Sequence, residues 1–583
     1  MKNIRYNILL VLLVAITLVS CRQDLLDLSP KDKVGGTTMW KTENLVDQGV
    51  NGIYNTLRQA RVGHIFNQVE MSVEADETDL DNAVLADKAT SGSAIFGETW
   101  QQHYEGIHRA NDAIVNIPNS PVSAEKKGRY IAEAKLLRAF FYYRLNILYK
   151  GVPIYLEPVE SNQANRPRNT ETEVWNQILK DLTDCINEEY LPVKYKKGDI
   201  NFGRMTKTIA LSLRGKSYLY LKEWAKAEAD FKAVGDAGHT LFQGEYKDLF
   251  KEANEQSDEM IFSVQEIGIS GLGTNIPLRY GSRIVYQEGW NTYIPNTDFV
   301  DSYAYADGEK FDWAKIFPKW NELSPRQRSV YFLRNNMVES EKNYFINDQK
   351  VDLTDYLPDG NEERLLKAYE NRDPRLKATI ITPYSEFLGS INSADVIVTL
   401  RWPYRIDKTP PHDIRTDTNN RFYYLFRKFV PEGTSEVPNR SYSPIDFPLI
   451  RYADIVLSLA EALMEQDKLD EAISYVNQVR RRVNIAELNS NEHTQVLGKD
   501  DLRYKIQQEK RWEFNGEGVN LYDELRWKTW KESKFFKSAG LKQIWGENQY
   551  TYSWPGDEIY QWPVPRIERE RNGNLEQSPG WRD

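Results

Sequence analysis

The chain has 583 residues, a formal net charge of -10, 12% aromatic residues and two cysteines. An acidic balance with no basic stripe excludes nucleic acid as a partner, because proteins that bind it concentrate Lys and Arg on one face. Two cysteines exclude a disulfide framework, so the fold must rest on its core, for which a chain of this length has ample material.

Lys2 and Arg5 precede an apolar run over residues 8–19, shorter than the roughly 20 residues of a membrane-spanning helix, so residues 1–20 read as a secretory signal. The run ends in Leu18-Val19-Ser20-Cys21, the pattern of a bacterial lipobox. Cleavage before Cys21 is therefore expected, with diacylglycerol on its thiol and palmitate-type acyl chains anchoring the chain at about 0.8 kcal/mol per buried CH2. Cys185 is then left without a partner. Residues 21–42 mix Asp, Pro, Gly and Thr without a period and read as a linker from lipid to body.

The body, residues 43–583, opens with four amphipathic helices predicted at 44–58, 98–116, 125–149 and 171–188. In residues 211–234, Gly215, Tyr218, Ala227 and Phe231 fall at the offsets of a tetratricopeptide hairpin, where a small residue on one helix admits an aromatic from the next. Residues 456–479 repeat the spacing more loosely: Leu459, Ala460 and Ala472 fit, while Leu463 and Val476 replace the aromatics. Between these copies the helical period dissolves into Gly-, Pro- and Tyr-rich text, which predicts long loops with short strands. The expected architecture is mainly α: an N-terminal part at 43–235, a loop-rich central region at 236–447 and a helical C-terminal part at 448–583.

No chemistry of turnover is legible, and neither a cofactor nor a metal is expected. His103 and His108 are five residues apart, which separates them by about 140° on a helix. "DETDLDNA" at 76–83 lacks the glycine and terminal glutamate of a calcium loop, and "GISGLG" at 268–273 has no dinucleotide-binding context. Glu509 and Glu513 sit one turn apart among Lys510, Arg511 and Arg526, which reads as a structural ion-pair network and not as a poised acid pair. The aromatics are more telling. Tyr286, Trp290, Tyr293, Trp313, Phe317, Trp320 and Tyr331 crowd the irregular centre, where flat rings can stack on the C–H faces of sugars while polar neighbours bond the hydroxyls.

Several stretches resemble the SusD/RagB family of outer-membrane nutrient-binding lipoproteins. They are the lipobox, "NLVDQGVNGIYNTLR", "VEADETD", "WQQHYEGIHRANDAI", "LIRYADIVLSLAEAL", "IQQEKRWEFNGEGVNLYDELRW" and "WPVPRIERERNGNLEQSPGW", in that order. The resemblance implies a SusD-like helical fold with tetratricopeptide-type hairpins, a lipid-anchored place at the cell surface, and binding without catalysis. It implies capture of a glycan for a SusC-like TonB-dependent transporter; a peptide-binding lid of the same architecture and a glycan-active enzyme are the alternatives. By region, it points to Arg61, His64, Asp76, Asp79 and Asn82 after the first helix, and to Tyr286, Trp290, Trp313 and Trp320 in the central insertion, as ligand-binding positions.

Overall fold

The computed structural model describes residues 38–63, 66–283, 285, 288–405, 411–414, 421–537 and 539–582. Cys21, His64 and Tyr286 lie outside the described residues. The scaffold begins with α1, Glu43–Asn55, capped by the Thr42 hydroxyl, which accepts from the Leu45 N–H. It continues through α2, Ala94–Asn116, α3, Ala124–Tyr149, and α4, Glu171–Asn187, which starts on a Thr170/Glu173 capping box. These helices begin within four residues of the expected positions and end within three. α3 departs from the amphipathic expectation, since every side chain from Leu136 to Tyr149 is buried. That stretch runs between α2 and α4 and touches C-terminal segments as well, so the second half of α3 has no solvent face. Two arginines inside that run are accommodated. Arg138 makes paired bonds of 2.8 and 2.9 Å to Asp181, and Arg144 lies 3.9 Å from the centre of the Tyr522 ring.

Both tetratricopeptide expectations hold. α5, Lys207–Tyr220, packs on α6, Trp224–Asp236; α7, Tyr452–Glu465, packs on α8, Leu469–Arg482; and α6 packs on α7, joining the two hairpins. A Cβ on Gly215 would sit 2.5 Å from the Phe231 ring, which is why that position is glycine. In the second hairpin Leu463 and Val476 fill the same role as buried aliphatics. α9, Lys499–Glu513, and α10, Val519–Trp527, close the C-terminal part.

Short strands organise the centre. β1, Ala75–Glu77, pairs antiparallel with β3, Tyr293–Pro295, and β2, Met260–Val264, pairs antiparallel with β6, Phe447–Arg451. The β2–β6 pair brings the two ends of the insertion together at the scaffold. Inside it, β4, Glu386–Ile391, and β5, Ala394–Thr399, form a hairpin.

The predicted ion-pair network exists, but with different partners. Glu509 and Glu513 are met by Arg375, with Arg480 also on Glu509 and both Arg451 and Arg482 on Glu513, at 2.5–3.2 Å. Lys510 pairs instead with Asp454 and Asp523, Arg526 with Glu461, and Arg511 with Glu524. The neighbours in sequence lost because α9 is buried on several sides, so each charge finds its counter-ion on whichever element faces it.

Candidate functional site

α1 gives way to a turn that places Arg58 and Arg61 at the foot of an open groove of about 720 Å3. Glu77 at the end of β1, Arg279 in the short helix Ile276–Tyr280, and Tyr293 at the start of β3 line it too. The β1–β3 pairing sets Glu77 directly opposite Tyr293. This pairing brings the segment after the first helix and the central insertion into one wall.

Two arginines in the groove are pinned. Arg58 pairs with buried Glu266 at 2.8 Å and donates to the Gln265 carbonyl at 2.7 Å. Arg61 donates through its guanidinium to Glu98 at 2.8–2.9 Å, while its backbone N–H donates to the Gln102 side chain at 2.8 Å. Arg279 makes no ion pair among the described residues; its guanidinium lies 5.5 Å from the centre of the Trp290 ring, within cation–π range. Trp290 is 48% exposed, the one tryptophan among the large hydrophobic residues left open to solvent in the described chain. Backbone pairing presents it. The Trp290 and Asn291 N–H groups donate to the carbonyls of Leu278 and Gly281, each at 2.7 Å. A Cβ on Gly289 would fall 2.0 Å from the Gly281 oxygen, so only glycine allows this approach.

Glu77 brings a titrating group to the groove. Burial first, then the charges of Asp81 and Asp79, push its carboxyl up to about 7, against the pull of Arg279. Glu70 behind it is raised by burial first and then by the charge of Glu77. Arg279, without an ion pair among the described residues, beside an exposed indole, with two fixed arginines and a weakly acidic carboxyl opposite, offers a stacking face and converging hydrogen-bond donors and acceptors. That chemistry suits polyhydroxylated ligands.

The expected site residues divide. Arg61 lines the groove, Trp290 stands beside it, and Asp79 is exposed close enough to Glu77 to shift its carboxyl. Asp76, Asn82, Trp313 and Trp320 are corrections. Asp76 is fully buried and accepts from Asn296 at 2.8 Å, from Tyr552, and from Lys534 at 3.2 Å, because alternation along β1 turns it to the face opposite that of half-buried Glu77. It props the groove wall from behind. Asn82 folds back on its own turn, its side-chain oxygen accepting from the Val84 and Leu85 N–H groups. Trp313 and Trp320 are 6% and 7% exposed and stack on each other at 4.8 Å, in a cluster with Phe317, Tyr331 and Phe332; the Trp313 indole donates to Asp301 at 2.8 Å. Trp313 opens a single helical turn, Trp313–Ile316, and the chain then turns back through the Trp320 N–H, which donates to the Phe317 carbonyl at 2.8 Å, so that Trp320 folds onto Trp313. They are the core of the insertion. Arg58 and Arg279 escaped the sequence reading. Arg58 ends the "NLVDQGVNGIYNTLR" stretch and could have been found there; Arg279 carries no local signal.

A helical scaffold with tetratricopeptide-type hairpins and a loop-borne groove defines a mainly α, sheet-poor class of protein, and comparison gives its family. Residues 258–581 match the SusD family, and residues 24–219 match the family described as starch-binding, associating with outer membrane. The chain belongs to the SusD family. Two SusD-like proteins of Formosa agariphila are 23% identical over 539 residues, with 90% of this chain and 91% of that protein covered, and 24% identical over 612 residues, with 99% and 100% covered. A SusD-like protein of Bacteroides fragilis superposes with a TM-score of 0.74 at 22% identity, covering 95% of this chain and all of that one. The surface glycan-binding protein A of Bacteroides thetaiotaomicron, solved with laminarihexaose, superposes at 0.58 with 16% identity over 92% of this chain and all of that one.

Proposed function

We propose that the protein is a non-catalytic glycan-binding lipoprotein of the cell surface. It captures oligo- or polysaccharide in the groove and delivers it to a SusC-like TonB-dependent transporter, held at the outer membrane by lipid on Cys21. The observation that carries this reading is the exposed Trp290 with the Arg279 guanidinium, which has no ion pair among the described residues, 5.5 Å from its ring. An indole backed by a cation is a fixed platform for a pyranose face, and Arg58 and Arg61 are already immobilised by carboxylates, so little side-chain order is lost on binding. The laminarihexaose-bound relative supports a saccharide as the class of ligand.

The test is calorimetric titration with laminarin and with a panel of starch, xylan, mannan and pectin. Trp290→Ala and Arg279→Ala should each weaken the polysaccharide that binds by about 1 to 3 kcal/mol while the melting temperature stays within a degree or two. Unaltered affinity in both variants sinks the groove as the site, and release of reducing sugar by the purified protein sinks the non-catalytic reading. Cys21→Ala should shed the protein from the membrane in ligand-competent form, and an affinity tag on the wild type should bring down a large β-barrel from detergent-solubilised membranes.

A further inference from the structure

α2 has two working faces. Glu98, Gln102, Glu105 and Arg109 point toward α1 and the turn after it, where they bond Arg61, Gln59 and the Gly52 carbonyl. Two residues out of phase, about 200° around the helix, Trp100, Tyr104, Ile107 and Asn111 line a separate cavity of about 500 Å3. Its other walls are the 153–164 loop, through Tyr155 and Glu157, and the C-terminal segment from Glu568 to Leu575. The volume lies within the about 300–1,000 Å3 usual for small-ligand sites.

The lining has unsatisfied polar capacity over an aromatic wall. Trp100 is 4% exposed, yet its indole N–H has no acceptor among the described residues, unlike those of Trp313 and Trp530. Gln101 and His108 stand exposed at the cavity with no hydrogen-bond partner among the described residues, and the Glu157 side chain makes no ion pair there. The remaining charges cancel, since Arg571 pairs with Glu568 at 2.8 Å. Trp100 and Tyr104 stack at a tilt 5.1 Å apart, and Tyr155 meets Tyr104 edge-on at 6.2 Å. The other polar groups of the wall are committed: the Tyr104 hydroxyl donates to Pro153, and the Asn111 amide to Tyr155.

We propose that this cavity on the far side of α2 is a second saccharide site, taking a short neutral stretch of glycan between the Trp100/Tyr104 wall and the Gln101 and His108 side chains. An anionic ligand has no free cation among the described lining residues to recruit it and meets the Glu157 carboxylate, and a purely apolar one would leave the indole N–H unpaired. With the cavity on one face of α2 and the groove-lining turn bonded to the other, a long chain can be held at two points, which raises its effective concentration at the groove without any new contact there.

The experiment titrates the full chain with maltohexaose, cellohexaose, laminarihexaose and mannohexaose, in a Trp290→Ala background that weakens the groove. At least one hexasaccharide should still bind. Adding Gln101→Ala and His108→Ala should weaken that binding at least fivefold; both side chains are exposed and without internal partners, so the melting temperature should not move. A Trp290→Ala protein that binds none of the four overturns the second site, and so does binding that the added substitutions leave unchanged. Neither result touches the groove, which the comparison of wild type with Trp290→Ala judges separately.

Discussion

Arg451→Met would remove the hub of the buried ionic cluster that ties the insertion to the C-terminal helices. Arg451 is 1% exposed and donates to Glu517 at 2.7 and 2.8 Å, to Glu513 at 3.1 Å and to Glu259. The connected set contains five cations, Arg375, Lys428, Arg451, Arg480 and Arg482, and five carboxylates, Glu259, Asp373, Glu509, Glu513 and Glu517, so it is neutral as built. Methionine conserves volume but leaves one buried negative charge uncompensated, which costs about 3–5 kcal/mol. Burial alone would raise the Glu513 carboxyl, yet the guanidinium groups of Arg482, Arg451 and Arg375 outweigh it and hold Glu513 well below the usual range. A group with a depressed folded-state pKa stabilises the fold above its unfolded value near 4.5, and that stabilisation is lost as pH falls. The penalty of Arg451→Met should therefore be largest at neutral pH and shrink toward pH 4, where the orphaned carboxyl can protonate. Urea unfolding followed by tryptophan fluorescence at pH 7.5 and pH 4.5 measures both values. A loss under 1 kcal/mol at pH 7.5, or an equal loss at both pH values, would refute the view that this cluster works by mutual charge compensation.

Three other outcomes follow from particular contacts. Burial raises Glu74 to about 8, so folding takes up a proton there and stability falls as pH rises from about 4.5 to 8; Glu74→Gln should be neutral at pH 4.5 and stabilising by about 4 kcal/mol at pH 8, and equal melting shifts at the two values would contradict the assignment. Trp320→Ala should cost about 3–5 kcal/mol of stability with no selective loss of saccharide affinity at permissive temperature, whereas lost affinity in a fully stable variant would return Trp320 to the site. Gly215→Ala should destabilise by about 1–3 kcal/mol through overlap with Phe231, and Phe231→Leu in the same chain should recover part of it; the absence of any recovery would point to a cause other than that overlap.

The helices, their order and both hairpins were legible in the sequence because helix formation and pairwise packing are written in residues three and four apart. Gly215 opposite Phe231 is such a local signal, whereas the two groove segments were legible as regions only through the family resemblance. Which side chains of those regions face the ligand was decided elsewhere. Trp290 and Trp313 look alike in a Tyr- and Trp-rich stretch, but one is held outward by the Gly289 approach to Gly281, while the other turns onto Trp320 and bonds Asp301. Asp76 and Glu77 are adjacent acids, and strand alternation, which exists only once β1 pairs with β3, sends the first inward and leaves the second at the groove. The partners of Glu509 and Glu513 were likewise beyond reach, since Arg375 and Arg451 come from distant segments of chain. A charge near in sequence meets another only if no closer charge faces it in space, and in a buried network the desolvation of each ion makes that spatial choice compulsory.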